Sequence, residues 1–198
     1  MLIRSTAAGT RLGGLAPPTR EAAEALAPAF DVVVVETVGV GQSETDVEQV
    51  CDTVAVVVQP ASGDTLQFLK AGIMEVPDVL VVTKADLGQP ALRAQRDLSA
   101  ALRSLGGPRK VPVLAVSSLP PPSGVNELVK ALDEHRASLD LPTARARSRR
   151  LAAVADFTAE RGESALRGLG GRREAEKLLS QQDPTLGVAD LIKVLESR

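Results

Sequence analysis

Four short apolar runs, at residues 32–35, 54–58, 79–82 and 111–116, alternate along the chain with segments whose apolar residues recur at helical spacing, at 19–26, 65–73, 90–105 and 125–136. The runs are continuously apolar, with Val dominating and no polar residue at every second place. Strands of that kind are buried on both faces, as in a parallel sheet with helices laid over each side. The pattern therefore predicts an α/β fold with a mostly parallel sheet. Asp64 and Ser123 stand just before two of the helical segments, where a side-chain oxygen can accept an orphan backbone N–H.

The pattern changes after Leu139. Asp140-Leu141-Pro142-Thr143 breaks it, and a basic run from Arg145 to Arg150 opens a stretch with no strand-like run. Helices are predicted over 144–160, 171–179 and 188–195, punctuated by Gly162, Gly168, Gly170 and Asp183-Pro184. This divides the chain into a first domain, 1–139, and an all-helical C-terminal extension, 140–198. The extension's larger apolar residues, Leu151, Val154, Phe157, Leu166, Leu178, Leu179, Leu191 and Leu195, look too few for a core of its own. It is expected to pack on the sheet or on another subunit.

Composition narrows the functional classes. With 198 residues, 44% apolar, the chain can bury a sizeable core, and with only 2% aromatics that core must be built from Val, Leu, Ile and Ala. A net charge of -2 gives no reason to expect nucleic acid or a membrane surface as partner. No apolar run approaches the ~20 residues of a membrane span, and no secretory signal pattern opens the sequence. Together with the single Cys51, which permits no internal disulfide, this points to the cytoplasm. Cys51 is expected to be a buried inert thiol. His135, the one histidine, lies on a charged helix face and is expected to be solvated and without a role; one Cys and one His cannot build a soft-metal site. Arg145, Arg147, Arg149 and Arg150, without interleaved aromatics, read as a solvated or subunit-facing helix face.

Two places carry candidate chemistry. The 32–35 run is predicted to be a strand delivering Glu36 and the glycine-rich Thr37-Val38-Gly39-Val40-Gly41-Gln42-Ser43-Glu44 to one point. A carboxylate there can hold magnesium through water or orient an attacking water, and Gly39 and Gly41 let backbone N–H groups approach a γ-phosphate. The plain alternative is a buried strand ending in a flexible turn. The 79–82 run ends in Thr83-Lys84-Ala85-Asp86, where the Asp carboxylate can accept a fork of two bonds from the guanine N1 and N2 donors, which adenine lacks. Lys84 would lay its aliphatic stem along the base. The alternative is a helix start capped by Asp86. After the next run, Ser117 and Ser118 stand where a further loop would offer backbone N–H groups to the guanine O6, or form only a Ser-rich turn before three prolines. Taken together the two places predict a GTPase, although no G-x-x-x-x-G-K-[ST] phosphate loop occurs in the sequence.

Ile3-Arg4-Ser5, Leu12-Gly13-Gly14-Leu15-Ala16, the block from Glu36 to Glu44, Pro60-Ala61-Ser62-Gly63-Asp64 with Leu66-Gln67, and Val82-Thr83-Lys84-Ala85-Asp86 resemble the MeaB/ArgK/MMAA GTPases over roughly residues 2 to 136. The resemblance implies a P-loop NTPase-type sheet whose front strand and phosphate loop are not in this sequence. It implies a chaperone, binding GTP or GDP with Mg2+, of an adenosylcobalamin-dependent acyl-CoA mutase of the methylmalonyl-CoA mutase type, gating cofactor loading and protecting the enzyme. By motif, Glu36 would be the acid of the magnesium site, Gly39 and Gln42 part of the γ-phosphate switch, and Thr83, Lys84 and Asp86 the guanine reader. The helical extension would serve homodimerisation. The expectation from these residues is a partial copy of such a GTPase, Met1 marking an incomplete frame; the alternative is a non-catalytic mutase-binding or dimerisation module.

Overall fold

The computed structural model describes residues 1–4, 17–37, 47–48, 50–60, 77–105 and 110–198. Its elements fall into two compact units, one built on a sheet and one on helices.

In the sheet unit, β1 (Ala55–Val58), β2 (Val79–Val82) and β3 (Val113–Ala115) run parallel in the order β1-β2-β3, with Ala55 opposite Val79 and Leu80 opposite Val113. The central β2 is buried at all four residues, which is why its sequence is unbroken Val and Leu. The first helix in the chain is α1 (Pro17–Leu26); in the sheet unit a 3-10 turn, Ala85–Leu87, leads from β2 to the helix α2 (Gln89–Leu105). On α2, Ala91, Ala94 and Leu98 recur at helical spacing and meet Val58, Leu80 and Val82 in one buried cluster. The helix α3 (Val125–Ser138) packs against β2 as well. Gln95 of α2 donates through Nε2 to the Val113 carbonyl of β3 at 2.8 Å, which satisfies a sheet-edge acceptor.

At the amino ends of the strands, Asp78 Oδ2 accepts the Val54 N–H at 2.8 Å, and Oδ1 lies 3.2 Å from His135 Nε2, close enough for an ion pair though off line for a hydrogen bond. His135 Nδ1 is 2.9 Å from Thr53 Oγ1. The expectation of a solvated His135 is thus corrected, since its side chain is only 12% exposed. Helical periodicity placed it on a charged face, but the charged neighbours flank a strip that turns toward the strand ends.

The helical unit holds α1, α4 (Leu141–Gly168), α5 (Arg172–Ser180) and α6 (Val188–Glu196). Gly162, at φ 80° and ψ 165°, breaks α4 internally. Ala153, Val154, Phe157, Leu166, Ala175, Leu179, Leu191 and Leu195 are buried together, so these helices have a core of their own, contrary to the expectation of too few apolar residues. The reason lies in the alanines: Ala152, Ala153 and Ala175 are fully buried, and small side chains let helices approach closely enough for a few leucines to fill the space. Arg20 of α1 donates through Nη1 to Asp156 Oδ2 of α4 at 2.5 Å. Arg145, from the basic run, forks onto Asp52 at 2.9 and 2.6 Å, and Arg149 donates to the Pro184 carbonyl at 2.5 Å.

The strand predicted over 32–35 is not observed. The segment belongs to no strand, and Val32 and Val34 are 70% and 84% exposed. A valine run supplies strand propensity, but a strand also needs a neighbour's ladder, and no strand among the described residues pairs with it. The helix predicted over 65–73 and the Asp64 cap lie outside the described residues. Ser123 supplies no side-chain cap; Gly124 occupies the N-cap of α3. Among the described residues no helix is long and apolar enough to cross a membrane.

Candidate functional site

Parallel strands bring their carboxyl ends to one edge of a sheet, and ligands in such folds bind beyond that edge. Here the loops leaving β2 and β3 meet there. Val116 N donates to the Val82 carbonyl at 2.8 Å, and Ala85 N returns a bond to the Val116 carbonyl at 3.1 Å, so the two loops are laced by backbone before any side chain is counted. Thr83 extends the lacing toward β1: its N–H donates to the Val58 carbonyl at 3.0 Å, and its Oγ1 does so at 3.3 Å.

Lys84 takes a left-handed backbone, φ 53° and ψ 46°, and is the one described non-glycine residue with positive φ. Such a conformation costs about 1–2 kcal/mol for an L-residue and persists where surrounding bonds over-determine it. The bonds of Thr83 and Ala85 on either side do so, along with Leu87 N, which donates to the Lys84 carbonyl at 3.0 Å. The turn leaves Lys84 and Asp86 exposed at the sheet edge.

Asp86 is held by Ser117, whose Oγ donates to Asp86 Oδ1 at 2.6 Å while being 3% exposed as a residue. The same Ser117 Oγ accepts the Leu119 N–H at 3.2 Å. One carboxylate oxygen is fixed by that bond, and an ionised carboxylate is a pure acceptor. Ser117 also exchanges both backbone bonds with Ser123, N to O at 3.0 Å in each direction, closing the 117–123 loop into a ring.

The sequence had Ser117 and Ser118 both offering backbone N–H groups. For Ser117 this is corrected: its N–H is bonded to Ser123, and its contribution is the hydroxyl on Asp86. Ser118 is exposed, and its N–H has no partner among the described residues. The structure therefore brings Thr83, Lys84, Asp86, Ser117 and Ser118 to one place. Glu36 is exposed in a segment of the other unit that has no regular secondary structure, and Gly39, Gly41 and Gln42 lie outside the described residues. Among the described residues no three metal-ligating side chains cluster. Gly124 was missed by sequence reasoning, although the Ser-Gly pair directly before a periodic helix was a visible signal.

A carboxylate fixed by a hydroxyl, beside an N–H that has no partner among the described residues, thus stands at the carboxyl edge of the parallel sheet. The family model of the methylmalonyl Co-A mutase-associated GTPase MeaB matches residues 1–167. The chain belongs to the MeaB family. Among curated proteins, it is 40% identical over 144 residues to a Mycobacterium tuberculosis protein named "Probable GTPase", covering 69% of this chain and 42% of that one. It is 39% identical over 137 residues to the mitochondrial methylmalonic aciduria type A homolog of Caenorhabditis elegans, covering 67% of this chain and 34% of that protein. This MeaB-family chain thus spans less than half the length of the curated relatives it matches.

Proposed function

We propose that the protein binds guanine nucleotides at the edge formed by the β2 and β3 loops, and that it serves, as a GTP-hydrolysing chaperone, an adenosylcobalamin-dependent mutase of the methylmalonyl-CoA type. The observation that carries the nucleotide part is the Ser117–Asp86 bond beside the Ser118 N–H, which has no partner among the described residues. The Asp86 carboxylate accepts from the guanine N1 and N2 donors, the Ser118 N–H donates to O6, and the Lys84 stem lies along the base. Adenine presents an acceptor at N1 and no amino group at C2, so it leaves Asp86 desolvated and unpaired.

Hydrolysis is assigned to Glu36, Gly39 and Gln42 by the family's motif order. A single exposed carboxylate such as Glu36 suits one position in a magnesium shell completed by nucleotide phosphates and water, which is how this ion is ordinarily held. The bound ion would neutralise phosphate charge. The mutase partner, the cofactor-loading role and homodimerisation through the helical unit rest on the family alone.

Calorimetric titration of the full chain with GDP, GTP and ADP in magnesium tests the nucleotide part. Wild type is expected to prefer the guanine nucleotides, and Asp86→Asn to lose that preference by roughly tenfold or more, since each charge-assisted bond is worth about 1.5–3 kcal/mol. Equal binding of GDP and ADP by wild type, or none, overturns it. Co-elution with methylmalonyl-CoA mutase on gel filtration tests the partner.

A further inference from the structure

We infer that Gly124, which lies outside the base-contacting set, is the residue that positions the Ser117–Asp86 pair and thereby sets how finely the site reads the base. This rests on the guanine-site reading above. Gly124 has φ +73°, and a Cβ built on it would lie 2.1 Å from the Ala115 carbonyl oxygen, 3.1 Å from the Ala115 carbonyl carbon and 3.2 Å from Val116 Cα. All three are backbone atoms, so no side chain can swing aside to make room.

The position matters because four constraints converge there. Ala115 ends β3. Val116 is bonded to both Val82 and Ala85, which bracket Thr83 and Lys84. Ser123, bonded twice to Ser117, immediately precedes Gly124. The Gly124 carbonyl accepts the Leu128 N–H at 3.1 Å as the first turn of α3. A side chain at 124 must therefore push the end of β3 away from the start of α3. The 117–123 ring hangs between those two points, and the buried Ser117 hydroxyl on Asp86 moves with it.

Gly88 provides the contrast within the same unit. It has φ +67° but nothing within 4 Å of a built Cβ, so it needs glycine for its backbone angle alone. At Gly124 the angle and the close approach act together.

The test is amide hydrogen exchange and nucleotide titration on the full chain, with Gly124→Ala and Gly124→Asn. Asn tolerates the left-handed backbone better than Ala, yet it brings the same Cβ. In wild type the Ser117 and Ser123 amides should be protected like those of β2. In both variants they should exchange about tenfold faster or more while β2 stays protected, and the ratio of GDP to inosine diphosphate affinity, which reports the C2 amino group, should fall toward one.

Wild-type Ser117 and Ser123 amides that exchange like an open loop overturn the inference, even if neither variant folds. So does rescue by Asn, which would reduce Gly124 to a backbone angle. So do folded variants with unchanged exchange and unchanged discrimination. Failure of the guanine reading looks different: wild type would show no guanine preference, while the exchange response to Gly124→Ala would persist and leave a positioning role for a different ligand.

Discussion

Ser117 and Ser118 are identical neighbours whose surroundings separate their chemistry. Ser117 is buried with every polar group engaged, and Ser118 is exposed with its N–H unclaimed among the described residues. Their sequence marked the loop as polar but could not say which group on which serine points where, because that is decided by the Ser117–Ser123 bridge and by Gly124. Cys51, expected to be a buried inert thiol, is partly buried in the structure. Burial, and then the charge of Asp52, push its thiol from an ordinary value of 9.0 up to about 11. The folded state therefore keeps a proton that the unfolded chain releases, so any stability linked to Cys51 is complete below about pH 9 and declines as pH rises toward 11. Alkylation by iodoacetamide, followed by mass, should be slow at pH 8 in the folded chain, rise steeply only above about pH 10, and be fast at pH 8 in denaturant. Fast labelling of the folded chain at pH 8 would refute the buried-thiol account. That Thr83, Lys84 and Asp86 leave the end of one strand together was legible because a strand and the turn after it are local in sequence. Ser117's hydroxyl role was not, because it spans 31 residues.

Among the elements, β2 and α2 were read closely, and both owe this to unambiguous periodicity: an unbroken apolar run in one, a regular stripe in the other. The run at 111–116 gives a shorter strand, Val113–Ala115. Pro112 has no N–H to give a ladder, although its carbonyl still accepts from Leu80 at 2.9 Å. What periodicity hid was the fastening at the amino ends, where Asp78, Val54, Thr53 and His135 come from three different segments. This fastening is the basis of an element-scale prediction. Asp78→Ala leaves the buried Val54 N–H without its acceptor and should destabilise the sheet unit by about 1–3 kcal/mol in urea titration. Asp78→Asn keeps an acceptor oxygen for Val54 and should lose less. Equal losses for the two would mean that the charge facing His135, and not the Val54 bond, carries the stabilisation.

At the scale of the whole molecule, the same residue type that builds the sheet core also supplies an exposed apolar stretch. Val79 and Val82 are fully buried, while Val32 and Val34, in a segment just as rich in valine, stand 70% and 84% exposed. Four consecutive β-branched residues, without a ladder among the described residues, make a ready template for pairing with another chain. Sequence could not separate the two cases, because burial of a valine run depends on which strands lie beside it. Replacing Val34 by Lys puts a charge where pairing would have to desolvate it, which is the device natural edge strands use. Val34→Lys should therefore lower light scattering and raise the monomer fraction on gel filtration at the same protein concentration. Because Val34 is so exposed, the urea midpoint should move by no more than about 0.5 kcal/mol equivalent. Val81→Lys, at a position 4% exposed in β2, is the opposite control and should unfold the sheet unit. A marked loss of stability in Val34→Lys with unchanged scattering would mean that the 32–35 segment is buried in the native protein and that association proceeds elsewhere.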